Sequence, residues 1–205
     1  MALGLSLALL INQKIRGRNF FRSAFYFPSI TSSVAITTIA LYIFNSDGLF
    51  NRIIGSSTPW FSTASTVTWA IVGLNAWTTS GSIMLYYLAG LQAVPDDVYE
   101  AAALDGTNGW RTFWKITFPL LKPAHFFVLV VFGVGALKVF DQQFVVSSGS
   151  GGPNYSTYTP VLYIFRAAFS SFDFGIAAAA GTVYFVLIFA LTVAEWLTVG
   201  RRERS

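Results

Sequence analysis

The chain has 205 residues, of which 54% are hydrophobic and only 11% charged, against roughly 25% charged in a soluble domain. Its net charge of +4 comes from basic residues gathered in a few loops, so no nucleic-acid partner is needed to explain it. No cysteine is present, which excludes disulfides and Cys-ligated metals and leaves a membrane protein as the class to test.

Met1–Asn12 is apolar but too short to cross a bilayer, which takes about 20 residues at about 1.5 Å each. No basic stretch precedes it and Ala-x-Ala is absent, so it does not read as a signal peptide. Lys14, Arg16, Arg18 and Arg22 follow, and Ala24–Phe44 is then long and apolar enough to span. Residues 53–95 carry no charge, and Val67–Leu91 within them is a second span. On it Asn75, Thr79 and Ser82 recur on one helical face, with Thr78 beside them. Polar groups at membrane depth tend to face a cavity or a partner. The same residues read equally well as hydroxyls bonded back to their own helix plus one interhelical amide.

Seven charged residues then fall within 27 positions: Asp96, Asp97, Glu100, Asp105, Arg111, Lys115 and Lys122. Their setting predicts a helix–turn–helix. Asp97 with Glu100 three positions on suits a capping box, and Pro95 and Asp96 suit the entry to the same helix. Glu100-Ala-Ala-Ala-Leu104 favours its body, and Gly106 sits where a left-handed residue would close it. Ala101 and Ala102 leave one side nearly bare, so another protein's backbone can approach. A second short helix is expected from Thr107 or Asn108 into Ile116, with Pro119 at its end or at a kink.

Ala124–Val146 is a further span that contains Lys138 and Asp141, followed by Gln142 and Gln143. At i and i+3, Lys138 and Asp141 can pair and lower each other's insertion cost. Ile176–Val199 is the last span. Trp69, Trp77, Tyr86 and Tyr87 could stack on the face of a solute, although aromatic residues in spans usually face lipid or neighbouring helices. His125, beside Pro123 at the mouth of a span, reads as an interfacial histidine rather than a metal ligand. Gly149-Ser-Gly-Gly-Pro153 lacks the lysine of a P-loop, and no nucleophile–base–acid set is visible. Ten of the thirteen basic residues, including Arg201, Arg202 and Arg204, fall on one side if the spans alternate. The central loop and the C-terminus are therefore expected in the cytoplasm.

Glu100-Ala101-Ala102, three residues, Gly106, nine residues and then Ile116-x-Phe118-Pro119 resembles the signature loop of the membrane subunits of bacterial ABC importers, with Phe118 where leucine is usual. Val94-Pro-Asp-Asp-Val-Tyr99, Phe140-Asp141, Gly151-Gly-Pro153 and Phe172-Asp-Phe-Gly175 resemble the carbohydrate branch, the maltose- and glycerol-phosphate-type permeases. The resemblance covers nearly the whole chain. It implies an all-α, polytopic helical bundle in the cell membrane, with four full spans, a partial N-terminal span and a cytoplasmic coupling helix. Residues 1–205 form one permease domain on this reading, with residues 92–123 its coupling loop. Glu100, Ala101, Ala102, Gly106, Ile116 and Pro119 are implied to couple the chain to an ATPase. The family's sugar contacts fall on the stretch Asn75–Ser82, so Asn75, Thr78, Thr79 and Ser82, with Lys138, Asp141 and Gln142, are the candidate substrate path.

The implied partners are a second permease of different sequence, an ATP-binding subunit dimer, an extracytoplasmic solute-binding protein and the lipid bilayer. No cofactor or metal is implied for this chain, because ATP is bound by the partner. Family members usually have six spans, so Met1 is expected to fall inside the second of them. The alternatives are an ion-coupled secondary transporter and a structural membrane protein. The first should show intramembrane carboxylates or inverted repeats with broken helices, and only Asp141 is a candidate. The second has no need of a capped docking helix.

Overall fold

A computed structural model describes residues 1–13 and 16–198. Among the described residues the regular structure is entirely helical: α1 (Ala2–Asn12), α2 (Arg18–Ile30), α3 (Ser33–Ile43), α4 (Leu49–Ile54), α5 (Ala64–Gln92), α6 (Asp96–Leu104), α7 (Gly109–Thr112), α8 (Phe118–Leu120), α9 (Lys122–Leu137), α10 (Asp141–Ser147), α11 (Pro160–Phe169) and α12 (Phe174–Thr198). A π-helical turn, Phe113–Thr117, joins α7 to α8. Lys14 and the C-terminal arginines lie outside the described residues.

One expected span needs correction. Ala24–Phe44 is not one helix, because α2 stops at Ile30 and α3 starts at Ser33. Pro28 inside α2 removes a backbone donor, and Ser32 takes a non-helical backbone, φ −52° and ψ 124°, as the N-cap of α3. The pair qualifies as one span only as two helices sharply bent at that break. Val67–Leu91 lies within α5, a helix of 29 residues and so about 43 Å long. Its length suffices, but its Thr, Ser, Asn and Gly residues keep it out of the apolar class. Among the described residues, Lys122–Ser147 and Phe174–Leu197 are long and apolar enough to cross by themselves.

The chain divides into two compact units, Met1–Ser29 with Thr79–Gly133 and Val193–Ser205, and Ile30–Thr78 with Val134–Thr192. In the first unit, Ala8 and Ile11 of α1, Ile83, Met84, Tyr87, Leu88 and Leu91 of α5, and Leu121 and Val128 form one buried cluster. Small residues allow the close packing. A Cβ on Gly4 would come 2.3 Å from Ile83 Cγ2, and one on Gly81 would come 2.2 Å from the Phe25 carbonyl oxygen. Where lipid is as apolar as the side chains, contact at this range is what holds helices together.

In the second unit, Ala40 of α3, Phe61, and Val67 and Ile71 of α5 form the core, with Val146 of α10 packed against it. Asn51 is fully buried and fully used: its amide donates to the Asn45 and Thr58 carbonyls at 2.8 and 2.7 Å and accepts from Trp60 Nε1 at 3.0 Å. That clasp fixes the loop around α4.

Candidate functional site

The polar loop of residues 92–123 folds much as its local chemistry dictates. α6 ends in a Schellman motif: Gly106 takes φ +69°, its N–H donates to the Ala103 carbonyl at 3.1 Å, and the Thr107 N–H donates to the Ala102 carbonyl at 3.1 Å. Thr107 Oγ1 also donates to the Ala102 carbonyl and lies 2.8 Å from Thr112 Oγ1, tying α6 to α7. Asn108 caps α7, its Oδ1 accepting from the Arg111 N–H at 2.8 Å. The entry to α6 differs from the expected capping box. Pro95 is the N-cap, without a side-chain bond, and Asp96 and Asp97 lie in the first turn. There they act on the helix dipole instead.

Pro119 lies within α8, one residue before that helix ends at Leu120. It cannot supply the N–H that the Lys115 carbonyl would take in an α-helix. The helix widens just before it, and the Phe118 N–H bonds to the Phe113 carbonyl in the π-turn. Glu100, Ala101 and Gly106 are exposed, Ile116 and Pro119 half-buried, and Ala102 only 4% exposed. The bare side of α6 is therefore presented by Ala101 and Ala103, with Leu104 at 90% exposure beside them, while Ala102 packs inward.

The candidate path residues fall on two separate elements. Asn75, Thr78, Thr79 and Ser82 are all half-buried on α5. Thr78 Oγ1 donates to the Asn75 carbonyl at 3.1 Å, and the Ser82 N–H donates to Ser29 Oγ on α2 at 3.1 Å. Part of this stripe thus serves the helices themselves. Lys138, Asp141 and Gln142 lie at the break between α9 and α10. Lys138 and Asp141 are both exposed and, as no helical turn joins them, the expected i, i+3 pairing geometry is absent.

Three features around the candidate path residues were not visible in the sequence. Tyr184 of α12 donates its hydroxyl to the Leu137 carbonyl at 2.5 Å, capping the end of α9 from a distant helix. Thr159 Oγ1 lies 3.4 Å from the Val139 carbonyl. Gln143 is buried, and its Oε1 has no hydrogen-bond partner among the described residues. Of the four aromatic residues, Trp69 and Trp77 are exposed, Tyr86 packs on Phe127 with ring centroids 4.9 Å apart, and Tyr87 is buried. His125 joins that buried group through Nδ1, 2.9 Å from the Tyr87 hydroxyl.

Residues 1–198 match the family of binding-protein-dependent transport system inner membrane components. The chain belongs to that family. It is a multi-pass inner-membrane protein. It is 37% identical over 208 residues to the trehalose/maltose transport system permease protein MalF of Thermococcus litoralis, covering 99% of this chain and 69% of that protein. It is 35% identical over 199 residues to the probable ABC transporter permease protein YesP of Bacillus subtilis, covering 94% of this chain and 64% of that protein. A third relative, 33% identical over 205 residues, is the probable starch degradation products transport system permease protein AmyD of Thermoanaerobacterium thermosulfurigenes, with 98% and 69% covered.

The chain thus spans about two thirds of the length of these relatives. They bear out the resemblance to the carbohydrate-branch permeases. The fold is that of a solved importer: a crystal structure of a bacterial ABC transporter involved in the import of the acidic polysaccharide alginate superposes with a TM-score of 0.87 at 22% identity, over 97% of this chain and 72% of that one.

Proposed function

We propose that this chain is a translocation subunit of an ATP-driven importer for a sugar or related solute. The observation that carries the reading is α6: a helix closed by Gly106 and standing exposed, inside the Glu-Ala-Ala…Gly…Ile-x-Phe-Pro spacing of a family of transport-system membrane components. α6 is the coupling helix. Its exposed face, with Glu100, Ala101 and Gly106, docks on a separate ATP-binding subunit, and closure of that ATPase dimer moves the spans. The chain binds no nucleotide or metal itself. It pairs with a second permease of different sequence and receives solute from an extracytoplasmic binding protein.

The central loop and the C-terminus face the cytoplasm on this reading, in keeping with the bias of the basic residues. A reporter active only in the cytoplasm should work when fused after Leu121 and stay silent after Asn154. The reverse result would overturn the orientation. The crossings are α2 with α3, α5, α9 with α10, and α12, with α1 a partial one. Asn75, Thr78, Thr79 and Ser82, with Lys138, Asp141 and Gln142, contribute to the solute path, and we add Gln143, whose buried amide oxygen has no hydrogen-bond partner among the described residues.

The test is solute-stimulated ATP hydrolysis and uptake by the full complex in proteoliposomes. An importer subunit couples the two, whereas uptake driven by an ion gradient without ATP would sink the proposal. In the same assay Asn75→Ala should shift apparent affinity several-fold, the loss of one hydrogen bond of about 1 kcal/mol. Unchanged affinity for every transported solute would remove Asn75 from the path.

A further inference from the structure

The loop that carries α6 has a second exposed surface of quite different chemistry. Trp110 is 74% exposed and Trp114 48% exposed, although both lie in a polar loop where an uncovered indole is costly. Spaced four residues apart, Trp110, Trp114 and Phe118 form a ladder of edge-to-face and tilted rings, with centroids 5.8 and 5.2 Å apart. The ladder continues from Phe118 to His125 at 4.4 Å, in the first turns of α9, and from there to buried Tyr87 at 5.2 Å. It therefore runs from solvent to the point where the apolar span Lys122–Ser147 begins, which is the water–hydrocarbon boundary.

Arg111, Lys115 and Lys122, which follow Trp110, Trp114 and Leu121 in the chain, are all exposed, and no acid occurs between Asp105 and Asp141. Tryptophan with basic residues at the end of a span is the composition of a membrane interface, where the ring lies at headgroup depth and the cation reaches phosphate. α6 contrasts with this, since Asp96, Asp97, Glu100 and Asp105 are exposed there and an anionic surface repels them. The charge of α6 suits a protein partner, and that of α7 to α8 suits lipid.

We propose that Trp110, Trp114, Arg111, Lys115 and Lys122 form a binding site for anionic phospholipid headgroups that anchors the foot of the loop at the membrane interface. The proposal needs α9 to cross the membrane but does not depend on which solute is carried or on how ATP is coupled. Basic residues near an anionic surface are each worth about 1 kcal/mol, or about five-fold in binding.

The experiment places the assembled complex in nanodiscs of phosphatidylcholine mixed with phosphatidylglycerol and measures retained phosphatidylglycerol by native mass spectrometry. R111Q/K115Q/K122Q should lose the preference for phosphatidylglycerol, by about five-fold per charge removed. Brominated phosphatidylglycerol should quench a tryptophan component that W110F/W114F lacks. Should the triple variant fail to assemble, Lys115→Gln alone carries the comparison. Equal preference for phosphatidylglycerol in wild type and variant would overturn the site. So would a Trp110/Trp114 component shielded from brominated lipid, which would mean that protein covers the face. Loss of solute-stimulated ATP hydrolysis in the wild type would count against the importer reading alone, because the lipid readout does not use it.

Discussion

The loop from α6 to α8 and the break between α9 and α10 both interrupt regular helix, yet they satisfy their backbone by opposite means. In the loop every partner is a near neighbour: Gly106 and Thr107 donate to the carbonyls of Ala103 and Ala102, and Asn108 caps Arg111. At the break the Lys138 N–H still bonds locally, to the Val134 and Gly135 carbonyls, but two carbonyls are met from far along the chain, with Tyr184 reaching that of Leu137 and Thr159 lying near that of Val139. A loop in water can draw on its own few residues and on solvent. A helix broken within an apolar span must recruit side chains from other elements, because no water is at hand to replace the lost bonds.

The largest expected effect tests the self-contained loop. A Cβ at Gly106 would meet no neighbouring atom within 4 Å, so the cost of Gly106→Val starts from the left-handed φ of +69°, about 1–2 kcal/mol for a residue with a Cβ. That is too little to unfold the protein, but it shifts the closed form of the α6 terminus by about 5- to 30-fold. Uptake should fall by on the order of ten-fold while membrane levels stay normal, as judged by quantitative blotting. Normal uptake by a well-inserted Gly106→Val protein would remove α6 from coupling.

A smaller effect is expected at the break. Tyr184→Phe leaves the Leu137 carbonyl without its donor, at about 1–3 kcal/mol for a part-buried acceptor, and should lower Tm by about 2–12 °C. The readout is thermal denaturation of the detergent-purified complex. A Tm unchanged within error would mean that water or another donor reaches that carbonyl, and the contrast between the two regions would lose its basis.

This contrast also explains what could be read from the sequence. The ends of α6, the start of α7 and the exposure of Glu100 follow from residues within a few positions of one another, so turn chemistry sufficed. Even there the capping box failed, because Pro95 caps the helix two residues before Asp97. The bend at Thr31-Ser32 was signalled by Pro28 and three hydroxyl residues, but hydropathy alone ran across it. The break at residues 138–140 was hidden for a different reason. Lys138 and Asp141 suggested a paired turn, whereas the geometry depends on Tyr184, 47 positions away. The polar stripe on α5 was legible as a stripe. Its use of the Ser82 N–H to hold Ser29 was not, because that depends on how closely Gly81 lets α2 approach.

The smallest expected effect completes the comparison. Asn108→Ala removes a cap that accepts one N–H at 2.8 Å, a change usually worth about 1 kcal/mol. Asn108 is exposed, so water can take over part of that bond, and Thr112 still bonds back to the Asn108 carbonyl at 3.0 Å through its own hydroxyl. Tm should therefore drop by only about 2–4 °C, and Asn108→Asp, which keeps an acceptor at the same place, should restore it. Asn108→Ala should leave uptake nearly intact, because the Schellman closure of α6 rests on Gly106 and Thr107 rather than on the cap of α7. If Asn108→Ala instead costs more stability than Tyr184→Phe, local bonds in the wet loop outweigh remote ones in the apolar span, and the distinction drawn between the two regions fails.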